Sequence, residues 1–429
     1  MNIFCTKKAK DMFKRVKGTQ DFLDLSLFNF VVSQFKKQMR LYHFDEISTP
    51  ILEPTELFKR SLGLQTDVVT KEMFIIPSRD EKDDESICLR PEATASFVRA
   101  FVENGIQTIP WKVFSYGPMF RYERPQKGRY RQFHQINMEI IGARSIGYDA
   151  QLIKMLDRYF HETLTLNNYA VLINFLGCKK DRERYRPVLY AFLEENADKL
   201  CKLCLERKEK NIMRVFDCKV ETCNELYKNA PKLTNHLCEQ CTQEWQQLKD
   251  DLDLLAVSYK VDPALVRGLD YYNKTVFVFA DESLGSQKEF CGGGRYDQLV
   301  KEVGSKEDQP SVGAAIGMER LMLLLEPIKD KLPLEQLPAL HVIIPLSENQ
   351  QQLALLLANE LHVHNLCADV LLDGESMKSM MRKANKMGAS YCLILGEDEQ
   401  KEHAVTVKNM VNGQETKMPQ SEAVAHLTK

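Results

Sequence analysis

The sequence predicts a protein of several domains in which sheets and helices are mixed. Three observations lead to this prediction: a long β-hairpin pattern in the first half of the chain, a charged helical segment that interrupts a sheet-like pattern, and alternating strands and helices near the carboxyl end. The chain has 429 residues, of which 44% are hydrophobic and 28% charged. That length exceeds one ordinary domain, and the apolar content excludes disordered and fibrous proteins.

The first elements are a helix and a short extended segment. Apolar side chains recur at helical spacing over residues 28–42, which predicts an amphipathic helix. Residues 44–52 favour a strand, although Pro50 and Pro54 cannot donate ladder hydrogen bonds. We therefore expect an edge or interface strand here.

Residues 113–142 are predicted to form a long hairpin with a basic tip. Apolar and polar residues alternate on both sides of the loop RPQKGRYR, as paired strands require. Between Lys112 and Arg131, six basic residues accompany a single acidic one, Glu123. The net charge of the whole chain is only −2, so the hairpin is a local cationic patch that could bind phosphates or nucleic acid.

The same hairpin carries three side chains suited to binding a small polar substrate. Arg121 lies near the end of the first strand, and the strand period of two places Gln135 and Glu139 on one face of the second. Arginine can clamp a phosphate or carboxylate, whereas glutamate accepts hydrogen bonds from an ammonium or a ring N–H. The alternative is a solvated ribbon whose charges bind nothing specific.

Two further segments combine polar residues with a change of local structure. In LRPEATASFVRA, Glu92 and Thr94 open a predicted helix and could bind substrate or simply cap that helix. In LVRGLDYYNKTVFVF, Arg267 and two tyrosines crowd a loop before a buried strand. Loops held on rigid strands commonly carry binding residues, but a turn at Gly268 with stacked tyrosines would explain the pattern equally well.

Residues 179–257 are predicted to be an inserted helical module, because charge becomes dense and sheet-like patterning resumes afterwards. Its Cys201-x2-Cys204 and Cys238-x2-Cys241 pairs could together supply four thiolates to a zinc ion. The 33 residues between Cys204 and Cys238 exceed the usual spacing, so free cysteines are the alternative. Two more cysteines, at 218 and 223, would be surplus or alternative ligands.

The remaining sequence completes the predicted domain organisation. Residues 331–429 alternate strands and helices, which predicts a small α/β domain with mostly parallel strands. We therefore divide the chain into a first part of one domain (1–178), the insertion (179–257), the second part of the interrupted domain (258–330) and a C-terminal domain (331–429).

The sequence also predicts where the protein resides. No apolar stretch approaches the roughly 20 residues of a membrane-spanning helix, and the first residues lack the apolar run of a secretory signal. We therefore expect a cytoplasmic protein with no membrane partner, and we expect its 12 cysteines to be reduced.

In chain order, these segments resemble the histidyl-tRNA synthetase family of class II aminoacyl-tRNA synthetases, over nearly the whole chain. VKGTQDF, the helix and strand ending at Pro50, FRYERPQKGRYRQFHQ, and GMERL with Arg320 are similar to the family's opening segment and three motifs. LVRGLDYY and SVGAAIGMERL are similar to the two signatures peculiar to the histidine enzyme. The cysteines of the insertion lie outside these signatures.

The resemblance implies an α+β fold: a class II catalytic domain with an antiparallel sheet of about six or seven strands flanked by helices, a helical insertion, and a C-terminal α/β anticodon-binding domain. It implies a homodimer with its interface around the first motif. The implied activity is that of a histidine–tRNA ligase. Such an enzyme uses ATP to convert L-histidine to histidyl-adenylate, releasing pyrophosphate, and then transfers histidine to the 3′ end of its tRNA, with Mg²⁺ bridging the phosphates of ATP.

The resemblance also implies roles for individual residues. Arg121, Arg267 and Arg320 are expected to be catalytic through their charge on the phosphates, with Arg121, Arg129 and Arg320 contacting ATP. The residues expected to bind histidine are Glu92, Thr94, Arg121, Gln135, Glu139, Arg267, Tyr271 and Tyr272. Arg124 and Gln126, in the hairpin tip, are expected to reach the acceptor end of the tRNA.

Two other functions stay open at this point. A regulatory paralogue would bind histidine and associate with a biosynthetic enzyme, but such proteins tend to lose signature residues and the anticodon-binding domain, both of which this sequence retains. A general RNA-binding protein would use the basic hairpin to retain tRNA, with a steep salt dependence and without any amino-acid-dependent use of ATP.

Overall fold

The structure of the protein is a computed structural model that describes residues 13–64, 66–77 and 86–428. One compact unit extends to Leu334 and a second begins at Glu335. Within the described ranges, no helix combines the length and the apolar character needed to cross a membrane.

The first unit contains most of the regular structure. Its strands are β1 (Asp45–Glu46), β2 (Leu52–Pro54), β3 (Phe74–Ile76), β4 (Ile87–Leu89), β5 (Trp111–Phe120), β6 (Gln132–Ile141), β7 (Ala170–Phe175), β8 (Tyr259–Val261), β9 (Asn273–Ala280), β10 (Glu289–Arg295) and β11 (Ser311–Gly317). Its helices are α1 (Ser26–Leu41), α2 (Thr55–Leu62), α3 (Thr94–Glu103), α4 (Gly147–Arg158), α5 (Lys179–Glu195), α6 (Lys202–Lys210), α7 (Glu221–Tyr227), α8 (Glu239–Leu254), α9 (Leu299–Glu302) and α10 (Met318–Leu325).

A large sheet organises this unit. Among the described residues it has eight strands in the order β1-β5-β6-β11-β10-β9-β7-β8. The strands from β5 to β7 pair antiparallel with one another, whereas β1 and β8 pair in parallel at the two edges. The class II fold is thus confirmed, but the sheet is wider than the six or seven strands implied because these two short edge strands extend it. Strands β2, β4 and β3 form a separate small sheet, in the order β2-β4-β3.

The amino-terminal predictions are confirmed for the helix and corrected for the strand. Helix α1 buries Val31, Phe35 and Met39 as an amphipathic helix should. The expected strand over residues 44–52 is wrong as a continuous element, because only β1 and the start of β2 are extended pairs. Pro50 falls in the gap, where its missing N–H breaks the ladder.

The predicted hairpin is confirmed. Strands β5 and β6 pair antiparallel from Trp111 opposite Ile141 to Phe120 opposite Gln132, leaving residues 121–131 as the loop. Between β7 and β8, helices α5 to α7 form their own small core, which includes leucine, tyrosine and cysteine side chains, whereas α8 packs into the main core of the unit.

The second unit is a smaller sheet with helices. Its strands are β12 (His341–Pro345), β13 (Ala368–Val370), β14 (Tyr391–Leu395), β15 (Ala404–Asn409) and β16 (Glu415–Pro419), and its helices are α11 (Gln351–Val363), α12 (Met377–Lys386), α13 (Glu397–Lys401) and α14 (Gln420–Leu427). The described sheet order is β13-β12-β14-β15-β16. The expectation of mostly parallel strands is confirmed for β12, β13 and β14, which pair in parallel, whereas β15 pairs antiparallel with both β14 and β16.

A buried ion pair links the large sheet to helix α4. Arg295 at the end of β10 and Asp149 in α4 are 1% and 0% exposed, and their closest nitrogen and oxygen are 2.5 Å apart. Arg295 also donates to the carbonyl oxygens of Ala143 and Ser145. The guanidinium therefore has polar partners on several sides, as a buried charge requires.

Replacing Arg295 with methionine should destabilise the first unit by roughly 3–5 kcal/mol, because Asp149 would remain buried without its partner. Urea unfolding followed by tryptophan fluorescence measures this, since both tryptophans, Trp111 and Trp245, belong to that unit. The matched control is Arg158→Met, which breaks an ion pair with Glu162. The side chains of that pair are about half exposed, so the variant should lose much less stability than Arg295→Met. Equal losses in the two variants would contradict the structural role of Arg295.

Candidate functional site

A cavity of about 380 Å³ opens on one face of the large sheet. Its walls come from the hairpin β5–β6, the strands β10 and β11, the start of α3, and the loop that carries Arg267. The insertion contributes a further wall. Most of the site residues implied by the resemblance are brought together here: Glu92, Thr94, Arg121, Arg129, Gln135, Arg267, Tyr271, Tyr272 and Arg320 all line the cavity.

Glycines in the sheet make room for the polar side chains of this site. Gly313 in β11 lies opposite Glu139 in β6, and a Cβ atom at position 313 would stand 1.5 Å from a Glu139 carboxylate oxygen. A Cβ at Gly292 in β10 would stand 2.6 Å from the Arg267 guanidinium. A side chain at either position would therefore displace Glu139 or Arg267, and at Gly292 it would also fill part of the cavity.

Glu139 is the most buried acidic group of the site, with 1% exposure. The Thr94 hydroxyl donates to one of its oxygens at 2.7 Å and the Tyr296 hydroxyl to the other at 2.5 Å. Burial raises the pKa of Glu139 to about 8, against the opposing effect of these two hydrogen bonds, and the neighbouring Glu92 carboxylate adds to the rise. The alternative of a solvated ribbon is therefore wrong for this face of the hairpin.

Glu92 caps the helix that follows it. Its carboxylate oxygens accept the backbone N–H groups of Thr94 and Ala95, each at 2.8 Å. Burial raises the pKa of Glu92, and these backbone donors oppose the rise. The expected capping of α3 by the Thr94 hydroxyl is wrong, because that hydroxyl donates to Glu139 instead.

Two amide side chains on β6 present unused hydrogen-bonding atoms to the cavity. Asn137 is 1% exposed, and neither its Nδ2 nor the Gln135 Oε1 has a hydrogen-bond partner among the described residues. Buried polar atoms without partners cost free energy, so a bound polar ligand would stabilise both. The sequence analysis missed Asn137, although the period of two that relates Gln135 to Glu139 includes it.

The Arg267 loop forms the opposite wall. The Tyr271 and Tyr272 rings lie with centroids 4.5 Å apart and tilted by 50°, so they contact each other and also line the cavity. The guanidinium of Arg267 lies 2.8 Å from Glu289, which sequence reasoning missed, and its Nε has no hydrogen-bond partner in the described part of the chain. Arg267 thus retains a donor for a ligand.

Arg121, Arg129 and Arg320 also line the cavity. Burial lowers the pKa of Arg320, and the positive charges of Arg129 and Arg121 lower it further. The Arg320 Nε donates at 2.9 Å to the carbonyl of Gly128, whose φ of 72° is readily adopted only by glycine. Arginines that repel one another in a partly buried space form a site for a polyanion, since bound phosphates would remove the repulsion.

The hairpin is also tied to helix α10. Glu319, at the start of that helix, accepts from the backbone N–H and the ring of His134 at 2.9 Å. These contacts fix the base of the loop that carries Arg129. Arg124 and Gln126 lie exposed in the same loop and do not line the cavity.

The insertion supplies a wall of the cavity that no sequence pattern predicted. Arg207, Arg214, Asp217 and Lys219 line the cavity from this side. Arg214 donates to the carbonyl of Gly268 at 3.1 Å, next to Arg267 in sequence. Single charged residues within a highly charged segment cannot be distinguished by pattern, because only the folded chain shows which of them face the cavity.

The cysteines of the insertion form two clusters, which corrects the hypothesis of one zinc site from Cys201, Cys204, Cys238 and Cys241. One cluster joins Cys201 and Cys204 to Cys218 and Cys223. The other joins Cys238 and Cys241 to Cys178 and Asp181. The two CxxC pairs begin different helices, α6 and α8, so each pair meets the residues packed against its own helix.

Comparisons with known proteins agree with this geometry. A family model described as "Histidyl-tRNA synthetase" matches residues 28–321, and one described as "Anticodon binding domain" matches residues 341–429. The chain is similar to the histidine–tRNA ligase of Nitratidesulfovibrio vulgaris, with 44% identity over 96% of this chain and 98% of the relative. It is also similar to that of Thermosipho melanesiensis, with 40% identity over 94% of this chain and 96% of the relative. The crystal structure of apo S. aureus histidyl-tRNA synthetase covers 97% of this chain and 100% of its own, with 30% identity and a TM-score of 0.78.

Glu139→Gln should change how stability depends on pH. The pKa of Glu139 rises from an ordinary 4.5 to about 8 on folding, so between these values the folded chain keeps a proton that the unfolded chain has lost. Glu139 therefore lowers the free energy of unfolding progressively as pH rises through this window, and glutamine removes that contribution. Urea unfolding of both proteins at several pH values measures the difference.

The control for this experiment is Glu103→Gln, which changes an exposed carboxylate paired with Arg99. It should leave the pH dependence close to that of the unaltered protein. The difference in the free energy of unfolding between the unaltered protein and Glu139→Gln should change between about pH 5 and about pH 8. If it stayed constant, Glu139 would not be a protonated buried acid in the free protein.

Proposed function

The chain belongs to the histidyl-tRNA synthetase family, and from this premise we infer that it is a histidine–tRNA ligase. It uses ATP to activate L-histidine as histidyl-adenylate and transfers the histidine to the 3′ end of its tRNA. One observation supports this function most strongly: a single cavity is lined both by three arginines and by polar side chains that surround the buried Glu139, among them Thr94, which donates to it. The first suits a triphosphate and the second suits a small polar side chain.

The three arginines are proposed to bind ATP. Arg320 would hold the γ-phosphate end, Arg121 the α-phosphate together with the carboxylate of histidine, and Arg129 a further phosphate. All three side chains line the same cavity, and the positive charges of Arg129 and Arg121 act on Arg320, which supports this assignment. Mg²⁺ would enter with ATP, coordinated by phosphate oxygens.

The histidine pocket is proposed to lie over β6. The α-amino group would meet Glu92, Thr94 and Gln135, and the imidazole would meet Glu139, Tyr271 and Tyr272. In its ionised form Glu139 has roughly four lone-pair positions, of which Thr94 and Tyr296 occupy two, so a ring N–H would find an acceptor there once Glu139 has lost its proton. A pocket that satisfies both ring nitrogens rejects analogues lacking one of them, because a buried partner would lose its hydrogen bond.

The chemistry that we propose needs no protein nucleophile. A carboxylate oxygen of histidine attacks the α-phosphorus of ATP, the bond from that phosphorus to the bridging oxygen breaks, and pyrophosphate leaves. A ribose hydroxyl of the terminal tRNA nucleotide then attacks the carbonyl carbon of the adenylate, and AMP leaves. Arg267 would add positive charge opposite Arg121 during the first step, when charge redistributes on the α-phosphate.

Further features support proposals about the tRNA and about a partner chain. Arg124 and Gln126 are exposed in the hairpin loop, where long polar side chains could contact the acceptor end, and the second unit would bind the anticodon. A homodimer is proposed because Leu52, Ile75 and Ile76 are exposed on the small sheet that follows the first motif. We propose the cytoplasm as the place of action, where charged tRNA is used.

The proposed function is tested by the exchange of labelled pyrophosphate into ATP, run with histidine and in parallel with the other amino acids. We expect exchange with histidine alone, because adenylate formation is reversible and the pocket selects the imidazole. Folded protein that binds histidine but catalyses no exchange would contradict the ligase and favour the regulatory paralogue. Retention of tRNA without exchange would favour a general RNA-binding protein.

Arg267→Ala should reduce the single-turnover rate of adenylate formation by on the order of 100-fold or more, with histidine and ATP binding largely retained. The reason is that Arg267 keeps an unpaired Nε for charge that develops on the α-phosphate. Rapid-quench measurement of adenylate gives the rate, and equilibrium binding gives the affinities. Arg144→Ala, at an exposed position, is the matched control and should react at the normal rate. An unchanged rate in Arg267→Ala would remove this residue from the mechanism.

A further inference from the structure

Four cysteines of the insertion converge on one point. The Sγ atoms of Cys201, Cys204, Cys218 and Cys223 all lie within 4.8 Å of one another. The Sγ atoms of Cys201 and Cys218 are 3.7 Å apart. A disulfide would require about 2.05 Å, whereas four sulfurs placed tetrahedrally at about 2.3 Å from a zinc ion are about 3.8 Å from one another. The spacing therefore fits four ligands of one ion.

Backbone donors surround these sulfur atoms. The N–H of Cys201 points to the Cys223 sulfur at 3.3 Å, and the N–H of Val220 points to the Cys218 sulfur at 3.4 Å. A neutral thiol is a weak acceptor, so N–H groups directed at sulfur favour the thiolate form that binds metal. Hydrogen bonds from the backbone to the ligand atoms are also what holds metal ligands in position.

We propose that Cys201, Cys204, Cys218 and Cys223 bind one structural zinc ion in the insertion. All four positions of a tetrahedral ion would be filled by protein, which leaves none open for catalysis. The site does not depend on the proposed function. It would cross-link helix α6, the turn before Cys218 and helix α7, whose shared core is small. Small cores commonly need such a cross-link to be stable.

The proposal is confined to this cluster, because the second cluster is already closed by hydrogen bonds. Asp181 accepts the backbone N–H of Cys178 at 3.1 Å and that of Cys238 at 2.8 Å. It also pairs with Arg184 at 2.6 Å. Its carboxylate therefore joins these segments without a metal ion.

The zinc ion would also hold one wall of the catalytic cavity. Cys218 stands between Asp217 and Lys219, and both of these residues line the cavity. Cys204 belongs to helix α6, which carries Arg207 to the same wall. Arg207 donates to the carbonyl of Arg214 at 2.9 Å and so joins the two metal-binding segments. Loss of the ion should loosen this wall without removing any residue from it.

The first test is metal content, measured by mass spectrometry of the full-length protein after gel filtration under reducing conditions. We expect Cys223→Ser to contain one zinc ion per chain fewer than the unaltered protein. Cys223→His should regain it, because imidazole is also a zinc ligand. Cys367→Ser, which changes a half-buried cysteine of the second unit, and Cys238→Ser, in the second cluster, should retain the zinc that Cys223→Ser loses.

The second test is spectroscopic and guards against variants that fail to fold. Protein stripped of metal and supplied with Co²⁺ should show the intense charge-transfer absorption of cobalt bound to several thiolates, and added Zn²⁺ should remove it. The stripped protein should become sensitive to proteolysis within residues 196–238 and show a several-fold higher KM for ATP. Folded, reduced protein that takes up neither zinc nor cobalt would overturn the proposal, as would loss of the ion in Cys238→Ser with retention in Cys223→Ser. Neither outcome depends on catalysis, so failure of the zinc site and failure of the ligase are distinguishable.

Discussion

The rest of the site depends on one constraint: glycines in the middle of the large sheet must leave room above them for side chains from other parts of the chain. Glu139 and Arg267 can lie where they do only because Gly313 and Gly292 have no side chains beneath them. The antiparallel pairing of β6, β11 and β10 brings these glycines under the two charged groups. A fold that left this space to apolar side chains would be more stable, but it would have no cavity in which a polar substrate could be enclosed.

Several charged and polar groups of the cavity lie in unfavourable surroundings, which a bound ligand would make more favourable. Burial of the carboxyl groups of Glu92 and Glu139 raises their pKa values. Burial also lowers the pKa of Arg320, and the positive charges of Arg129 and Arg121 lower it further. The Asn137 side chain lines the same cavity, and its Nδ2 has no hydrogen-bond partner among the described residues. Such groups are fixed before the substrate arrives, and the free energy of folding supports their unfavourable placement, which is the basis of electrostatic preorganisation.

The sequence predicted the parts of the site that local periodicity and chain order determine. The hairpin pattern brought Gln135 and Glu139 to one face, and the ordered segments identified the arginines that line the cavity. Contacts between segments distant in the chain were not accessible. Tyr296 reaches Glu139 only through the pairing of β10 with β11, and Cys201 meets Cys218 only after α6 and the following turn have packed. The short strand β1 and the antiparallel β15 and β16 also depend on their neighbours rather than on their own residues.

Besides contributing a small core of its own, the helical insertion has a role in the topology of the large sheet. Strands β7 and β8 lie side by side and run in the same direction, with Val171 opposite Tyr259. Two parallel neighbours cannot be joined by a tight turn, because the chain must first return to the end from which it started. Helices α5 to α8 make that return, so they are the crossover of a parallel strand pair. The length and content of this segment can therefore vary widely, but a connection of about ten residues or more must always replace it if β8 is to keep its place.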